Sequence, residues 1–402
     1  MYLHCHTNTY TAAKPTLPPE LSLNKEHTPW GSGHIELTGR VEVILPSEGT
    51  MSVRVTPAFR RIYVVGGHIT KFIGNRHPDF IHKKHPDFGK KENPDLEWYI
   101  SEAVNGTLRS TGVAPEVVDK AWIGNFAGEL FSKQGHLGAA VVGANPGLMN
   151  KPVMRVEGAC ASGGLAFASA VEAIKAGADV TLAIGAEVQT TVSAREGAEY
   201  LARASHFKRQ SNLDDFVFPA MFARRVKECL KAGIISVYDL AMLSAKAYSN
   251  ANKNPLAHMH HASMSIDLAL SASDQNPHFL ANPELAPYLK FSDCSQVSDG
   301  GAGILLCSDD GLKKIGKRPE DCIEVVGIGH ATGNLYTDCM FTEMMTTAAA
   351  ARVAFEQSRV NPLDLEVVEV HDCFTVSEVL MMEAIGYAPK VRAGGGILGV
   401  GG

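Results

Sequence analysis

None of the eight cysteines falls in a C-x-x-C pair, and they are scattered along the 402 residues. That spacing argues against a zinc ribbon or a small disulfide scaffold and favours a reducing compartment. No apolar run reaches the ~18 residues that a membrane-spanning helix requires, so no membrane span is expected. Positive charge is not in excess: 37 Lys and Arg stand against 43 Asp and Glu, a net charge of −6. The balance gives no reason to expect nucleic acid as a partner, although a local basic cluster can still hold an anionic ligand. Acidic residues are missing from positions 1–19, as in organelle transit peptides, but that stretch carries one Lys and no Arg, a weak targeting signal. Sustained periodicity is missing from the first ~50 residues, where Pro15, Pro18, Pro19 and Pro29 recur, so residues 1–57 read as a poorly ordered extension. Met51 opens a more compact start. The remaining composition, 45% hydrophobic and 20% charged, is near ordinary globular values, and the length corresponds to two or three domains' worth of chain.

The most informative stretch is Val156 to Gly164, V-E-G-A-C-A-S-G-G. A short apolar run (Val153, Met154, Val156) leads into small residues around one thiol, and the segment that follows repeats apolar residues at helical spacing until Gly177. Cys160 is thereby expected at a strand-to-helix turn, close to a helix N-terminus. The dipole and free N–H groups there favour negative charge, which can lower a thiol pKa into the nucleophilic range. Small neighbours let a substrate approach closely. The same pattern also fits a buried core cysteine before a Gly-rich helix start.

Strands are expected over Arg61–Gly67, Lys120–Gly124, the run before Cys160, Val180–Ile184 and the Gly-rich 297–308. Helices are expected over Asp95–Ser110 and about 163–176. The order recurs downstream as a strand Ile323–Gly327, a helix Thr342–Gln357, a turn at Asn361-Pro362 and a strand Leu365–Val370. Both halves count nine residues from turn proline to strand end, Pro115 to Gly124 and Pro362 to His371. Internal duplication is the simplest account, with two α/β halves packed together. An insertion over 190–292 mixes helices with basic and aromatic residues, and insertions of this kind often cap a site. His371-Asp372-Cys373-Phe374 lies at the expected C-terminal end of a strand, where ligand sites in α/β sheets occur. His371 and Cys373 can supply an oxyanion donor and a proton carrier; a histidine held by its own turn beside a core cysteine fits the same residues. No further Cys or His recurs at ligand spacing, so no metal is expected.

The G-A-C-A-S-G-G turn, the run A-I-G-A-E, the closing V-S-D-G-G-A-G, and H-D-C-F followed by T-V-S-E together resemble the thiolase superfamily, specifically the sterol carrier protein type of thiolase. The resemblance covers about residues 58–390. It implies a duplicated five-layer α-β-α-β-α fold with an inserted loop domain. Residues 58–189 and 293–310 would form the N-terminal half, 190–292 the loop domain and 311–402 an incomplete C-terminal half. It implies an acyl-CoA C-acyltransferase that cleaves 3-oxoacyl-CoA with CoA, or runs the reverse condensation, through an acyl-cysteine. Cys160 matches the nucleophile, His371 the residue that stabilises the enolate oxygen of acetyl-CoA, and Cys373 the acid/base. Ser295 falls where the family has a serine contacting the pantetheine arm. Arg203, His206, Lys208 and Arg209 in the insertion are candidate partners for the nucleotide phosphates. Coenzyme A enters as substrate and no cofactor is implied. The expected assembly is a homodimer or homotetramer, and the expected location mitochondrial, with a peroxisomal one open, since relatives with these motifs work in both.

The C-terminus departs from the family pattern. After Lys390 only Val391-Arg392-Ala393 precede Gly394-Gly395-Gly396-Ile397-Leu398-Gly399-Val400-Gly401-Gly402, and Gly402 stands where the family's G-H-P histidine would be. Loss of that base and oxyanion donor is expected to lower the rate by ~10²- to 10⁴-fold, and loss of the helix and strand after it to leave the second sheet incomplete. A catalytically impaired CoA-ester-binding protein is therefore the alternative reading. A ketoacyl synthase, which pairs its cysteine with two histidines, is disfavoured by H-D-C-F.

Overall fold

The computed structural model describes residues 39–44, 52–57, 60–337 and 340–388. Two units are distinguished. In the smaller, within the segment expected as an extension, β1 (Gly39–Ile44) pairs antiparallel with β2 (Ser52–Pro57), Gly39 facing Pro57 and Ile44 facing Ser52.

The larger unit begins at Arg61. Its sheet contains β3 (Ile62–Ile69), β4 (Lys120–Gly124), β5 (Val153–Val156), β6 (Val180–Glu187), β7 (Gly300–Ser308) and β8 (Ile323–Glu324). The strand order is β5-β4-β6-β7-β3-β8. β5, β4 and β6 run parallel, and β7 then reverses against both β6 and β3. The chain places helices on both faces of this sheet, which is why β6 and β7 read as near-continuous apolar runs. On one face α1 (Leu96–Thr111) packs Tyr99, Ile100, Ala103 and Val104 on Leu182, Ile184 and Leu305. On the other, α4 (Ser162–Lys175) packs Phe167, Ala170, Val171 and Ile174 on Trp122, Ala183 and Leu306. Alternate residues of β6 thus serve opposite cores, as a period of two requires. Two shorter helices, α2 (Gly128–Phe131) and α3 (Leu137–Ala144), lie between β4 and β5.

The insertion carries α5 (Ala194–Leu201), α6 (Phe207–Gln210), α7 (Val217–Lys231), α8 (Val237–Lys253) and α9 (Ile266–Leu270). After β7 come α10 (Asp309–Lys314), α11 (Met345–Ser358) and α12 (Thr375–Ala384). Ala220, Ala223 and Val226 of α7 and Leu240 and Leu243 of α8 share one core with Val376, Val379 and Leu380 of α12. Phe222 stacks on Phe374 with centroids 4.1 Å apart. The insertion therefore supports the helix that follows H-D-C-F.

Repetition is visible locally. α1 ends in left-handed Gly112 (φ 69°) and α11 in left-handed Arg359 (φ 56°), and each is followed by a single 3-10 turn opened by proline, Pro115–Val117 and Pro362–Asp364. The sheet half of the repeat differs from expectation. Only Ile323 and Glu324 of the expected strand 323–327 enter a ladder, opposite Val64 and Tyr63. Residues 365–370 form no named strand, and Val367 is 57% exposed. A strand exists only through a neighbour that takes up its N–H and C=O groups, and no second-half ladder occurs among the described residues. The expected helix over 342–357 begins at Met345. Residues 389–402, on which the expectation about the G-H-P histidine falls, lie outside the described residues, as does most of 1–57.

Candidate functional site

β4, β5 and β6 run parallel and end together at Gly124, Val156 and Glu187, so the loops after them share one edge of the sheet. Cys160 sits there in a single 3-10 turn, Ala159–Ala161, that leads straight into α4. Ser162 pins this turn: its Oγ accepts the Gly158 N–H (3.0 Å) and donates to the Ala159 carbonyl (2.7 Å). Ala159 is held left-handed at φ 50° and donates its N–H to Glu157 Oε1 at 2.6 Å. A non-glycine residue in that region carries strain, which accumulates at sites where the surroundings over-determine the backbone. Beneath the turn lies Gly124; a Cβ there would stand 2.3 Å from the Ser162 carbonyl oxygen, so only glycine lets strand and helix approach this closely.

Sequence reasoning missed Glu187, which closes the A-I-G-A-E run. Its carboxylate accepts the N–H groups of Phe126 (2.8 Å) and Ala127 (3.3 Å) and the side-chain amide of Asn125 (3.1 Å). Burial nevertheless raises its pKa against those bonds. The only signal was a charged residue ending an apolar strand. The aspartate of V-S-D-G-G acts structurally. Asp299, fully buried, accepts the N–H groups of Gln189 (2.7 Å) and Thr190 (3.1 Å) and the Thr190 hydroxyl (2.5 Å), tying the start of β7 to the exit of β6.

The second turn packs on the segment before β7. Phe374 bridges Cys294, and the Ser295 N–H donates to the Cys373 carbonyl at 2.9 Å, so Ser295 backs H-D-C-F as a short strand-like contact. Cys373 Sγ lies 4.0 Å from Ser377 Oγ on the first turn of α12. Burial pushes the Cys373 thiol up to about 12, and the charge of Cys160 adds to the rise. Burial also pushes His371 down, opposed by Asp372. The Cys160 thiol is raised by burial and by Glu187, against its own backbone N–H. The expected lowering at a helix N-terminus is thus not what the resting site gives, because desolvation outweighs the local donors. Cys160 and His371 are exposed while Cys373 is half-buried. Among the described residues, no side-chain hydrogen bond to the Cys160 thiol occurs.

A cavity of about 270 Å³ opens beside this turn, lined by Asp372, Thr375 and Glu378, by Ser292 and Ser295, and by the Ser244–Tyr248 face of α8. Three buried side-chain oxygens on its lining residues, Ser292 Oγ, Asp293 Oδ1 and Thr375 Oγ1, have no hydrogen-bond partner. Such groups are costly unless paired, which fits a ligand that brings donors. A second cavity of about 190 Å³ lies between Ala161, Gly164, Leu165 and Phe167 and the segment 323–330. None of Arg203, His206, Lys208 and Arg209 lines these cavities. Arg203 pairs with Glu199 (3.0 Å), Arg209 donates to the Tyr336 carbonyl (3.1 Å), and His206 meets the Tyr336 ring edge-on at 5.2 Å. Lys208 is exposed. Among the described residues no cluster of three or more His, Cys, Asp or Glu is placed to hold a metal ion, and no helix is long and apolar enough to cross a membrane.

The chain matches the families described as "Thiolase, N-terminal domain" over residues 89–270 and "Thiolase C-terminal domain-like" over residues 327–399. The acetyl-CoA acetyltransferase of Methanothermobacter thermautotrophicus is 30% identical over 298 residues, 73% of this chain and 73% of that protein. Sterol carrier protein 2 of Gallus gallus is 25% identical over 351 residues, 83% of this chain and 58% of that longer protein. The structure of human mitochondrial 3-ketoacyl-CoA thiolase shares the fold with a TM-score of 0.57 at 18% identity, covering 82% of this chain and 84% of that one.

Proposed function

Since the chain belongs to the thiolase superfamily and is an acyltransferase of thiolase type, we propose that it cleaves 3-oxoacyl-CoA with CoA, or runs the reverse condensation, through an acyl group carried on Cys160. The observation that supports this reading is Cys160 in a strained turn at the shared exit of three parallel strands, directly before α4. Cys160, as the thiolate, attacks the 3-oxo carbonyl and the C–C bond breaks. The electrons pass to an enolate of acetyl-CoA, whose oxygen His371 stabilises and whose carbon Cys373 protonates. CoA then gives its thiol proton to the Cys373 thiolate and takes the acyl group from Cys160, which leaves as the thiolate, so that both cysteines are restored. Ser295 contacts the pantetheine arm, whose amides supply donors to the unpartnered oxygens of the 270 Å³ cavity. The cavity beside Ala161 receives the acyl group. We further propose a homodimeric or homotetrameric assembly and a mitochondrial location.

A second reading, a CoA-ester-binding protein without thiolysis, is favoured by one observation: no described side chain is hydrogen-bonded to the Cys160 thiol to activate it. Acetyl-CoA production from acetoacetyl-CoA and CoA, followed by chromatography, separates the two. Turnover that is lost in Cys160→Ala and falls ~10²- to 10⁴-fold in His371→Ala or Cys373→Ala supports thiolysis. Folded protein that binds CoA without turnover supports the second reading.

A further inference from the structure

The 270 Å³ cavity does not end beside the catalytic turn. It shares Tyr248, His258 and Met259 with an adjoining cavity of about 200 Å³, lined also by Arg76, His261 and Phe291. The two form one groove with opposite charge at its ends. Asp372 and Glu378 stand at the end beside H-D-C-F, and Arg76 and His261 at the other. Glu378 is already neutralised by Lys246. Arg76 has no carboxylate partner among the described residues; its guanidinium lies 4.5 Å over the Phe291 ring, which leaves its N–H fork free in the groove. The charge of Arg76 also acts on the phenol of Tyr248, the residue common to both cavities.

The backbone around Arg76 is built to hold it there. Arg76 is left-handed, at φ 79°. Before it, a Cβ on Gly74 would stand 2.4 Å from the Val297 carbonyl oxygen and 2.6 Å from the His258 ring, so the loop is pressed against the groove wall. His258 forms that wall with both ring nitrogens engaged, on Ser298 Oγ (2.7 Å) and the Asn75 carbonyl (2.9 Å). After Arg76 the sequence repeats, His77-Pro78-Asp79-Phe80 and His85-Pro86-Asp87-Phe88. In each copy the histidine Nδ1 accepts the aspartate N–H at 3.1 Å, and the aspartate pairs with a lysine, Lys71 or Lys91. The nearby carboxylates are thus occupied and do not compete for Arg76.

We propose that Arg76, with His261 beside it, is the phosphate-binding end of the groove, gripping the phosphates of coenzyme A while the pantetheine arm runs past Tyr248 to Ser295. This rests on the CoA-ester reading above, and it moves the phosphate contact from residues 203–209 to the loop after β3. A planar, unpaired guanidinium at the cationic end of a polarised groove suits a phosphate better than any group at the other end.

The test is calorimetric binding to the full chain, using CoA and pantetheine as separate probes, with Arg76→Ala, Arg76→Lys and Lys208→Ala. A charge-assisted bond of this kind corresponds to about 10- to 100-fold in Kd. The expected result is that Arg76→Ala weakens CoA by about 10- to 100-fold, leaves pantetheine within about 2-fold, and is partly rescued in Arg76→Lys, while Lys208→Ala binds CoA as the parent does. Retained pantetheine binding reports that the variant is folded. CoA binding unchanged in Arg76→Ala, or pantetheine lost in parallel with CoA, overturns the assignment while leaving CoA recognition standing. Failure of the parent chain to bind either probe overturns both readings. Inorganic phosphate that competes with CoA but not with pantetheine for the parent supports the assignment; displacement of pantetheine by inorganic phosphate contradicts it.

Discussion

Gly124→Ala should damage the nucleophile turn without touching a reacting atom. β4 is locked from both sides at this residue, Gly124 pairing with Val156 of β5 and with Gly185 of β6. An added Cβ would lie 2.3 Å from the Ser162 carbonyl oxygen, 2.4 Å from its carbon and 2.6 Å from the Gly163 nitrogen, all backbone atoms of the first turn of α4. Ordinary contact requires about 3.5 Å, so the helix start must retreat by roughly 1 Å. Overpacking of this kind costs about 1–3 kcal/mol. A displacement of about 1 Å at a catalytic group lowers the rate by ~10²-fold, since Cys160 stands two residues before Ser162. Urea unfolding gives the stability, and the rate of Cys160 acetylation by acetyl-CoA gives the geometry. Gly143→Ala in α3 is the control, because nothing lies within 4 Å of the added carbon; it should raise stability by about 0.4–1 kcal/mol. A Gly124→Ala protein with parental stability and acetylation rate refutes the argument, as does a Gly143→Ala protein equally impaired.

Two further outcomes follow from burial and charge. The Cys160 thiol lies above its ordinary value, with Glu187 contributing after burial; thiolate is the reactive form. Alkylation of Cys160 by iodoacetamide should therefore keep rising with pH through 9, and Glu187→Gln should move the curve to lower pH; a plateau at neutral pH in the parent contradicts this. Lys290 and Asp293 form a buried pair at 2.9 Å, with side chains 8% and 0% exposed. Lys290→Ala should lower stability by about 3–5 kcal/mol by stranding a buried carboxylate, whereas Lys290→Met with Asp293→Asn should lose much less; equal losses in urea unfolding would contradict the charge argument.

The first half was legible because its local signals agree with its tertiary surroundings. The apolar run before Cys160, the small residues around it and the periodic helix after it all point the same way, and β3 through β7 form where alternation and Gly-rich exits place them. Residues 365–370 alternate like a strand too, but a ladder needs a partner that no local pattern encodes. The resting pKa of Cys160 departs from expectation because a helix start is visible in sequence and the surrounding protein mass is not. Glu187 and Asp299 hid for a related reason: a lone acid at a strand end shows its importance only when the N–H groups it accepts are seen. Arg76 was unreadable as a site residue, since the groove it faces is assembled from segments some 180 positions apart, His258 and Asn75 among them.

Whether Cys160 carries an acyl group is measured directly by mass spectrometry of the intact protein incubated with acetyl-CoA. One added acetyl group is expected, mapped to Cys160, removed by free CoA and missing in Cys160→Ala. Folded protein with no adduct, or with acetyl on another residue, would contradict the acyl-cysteine reading.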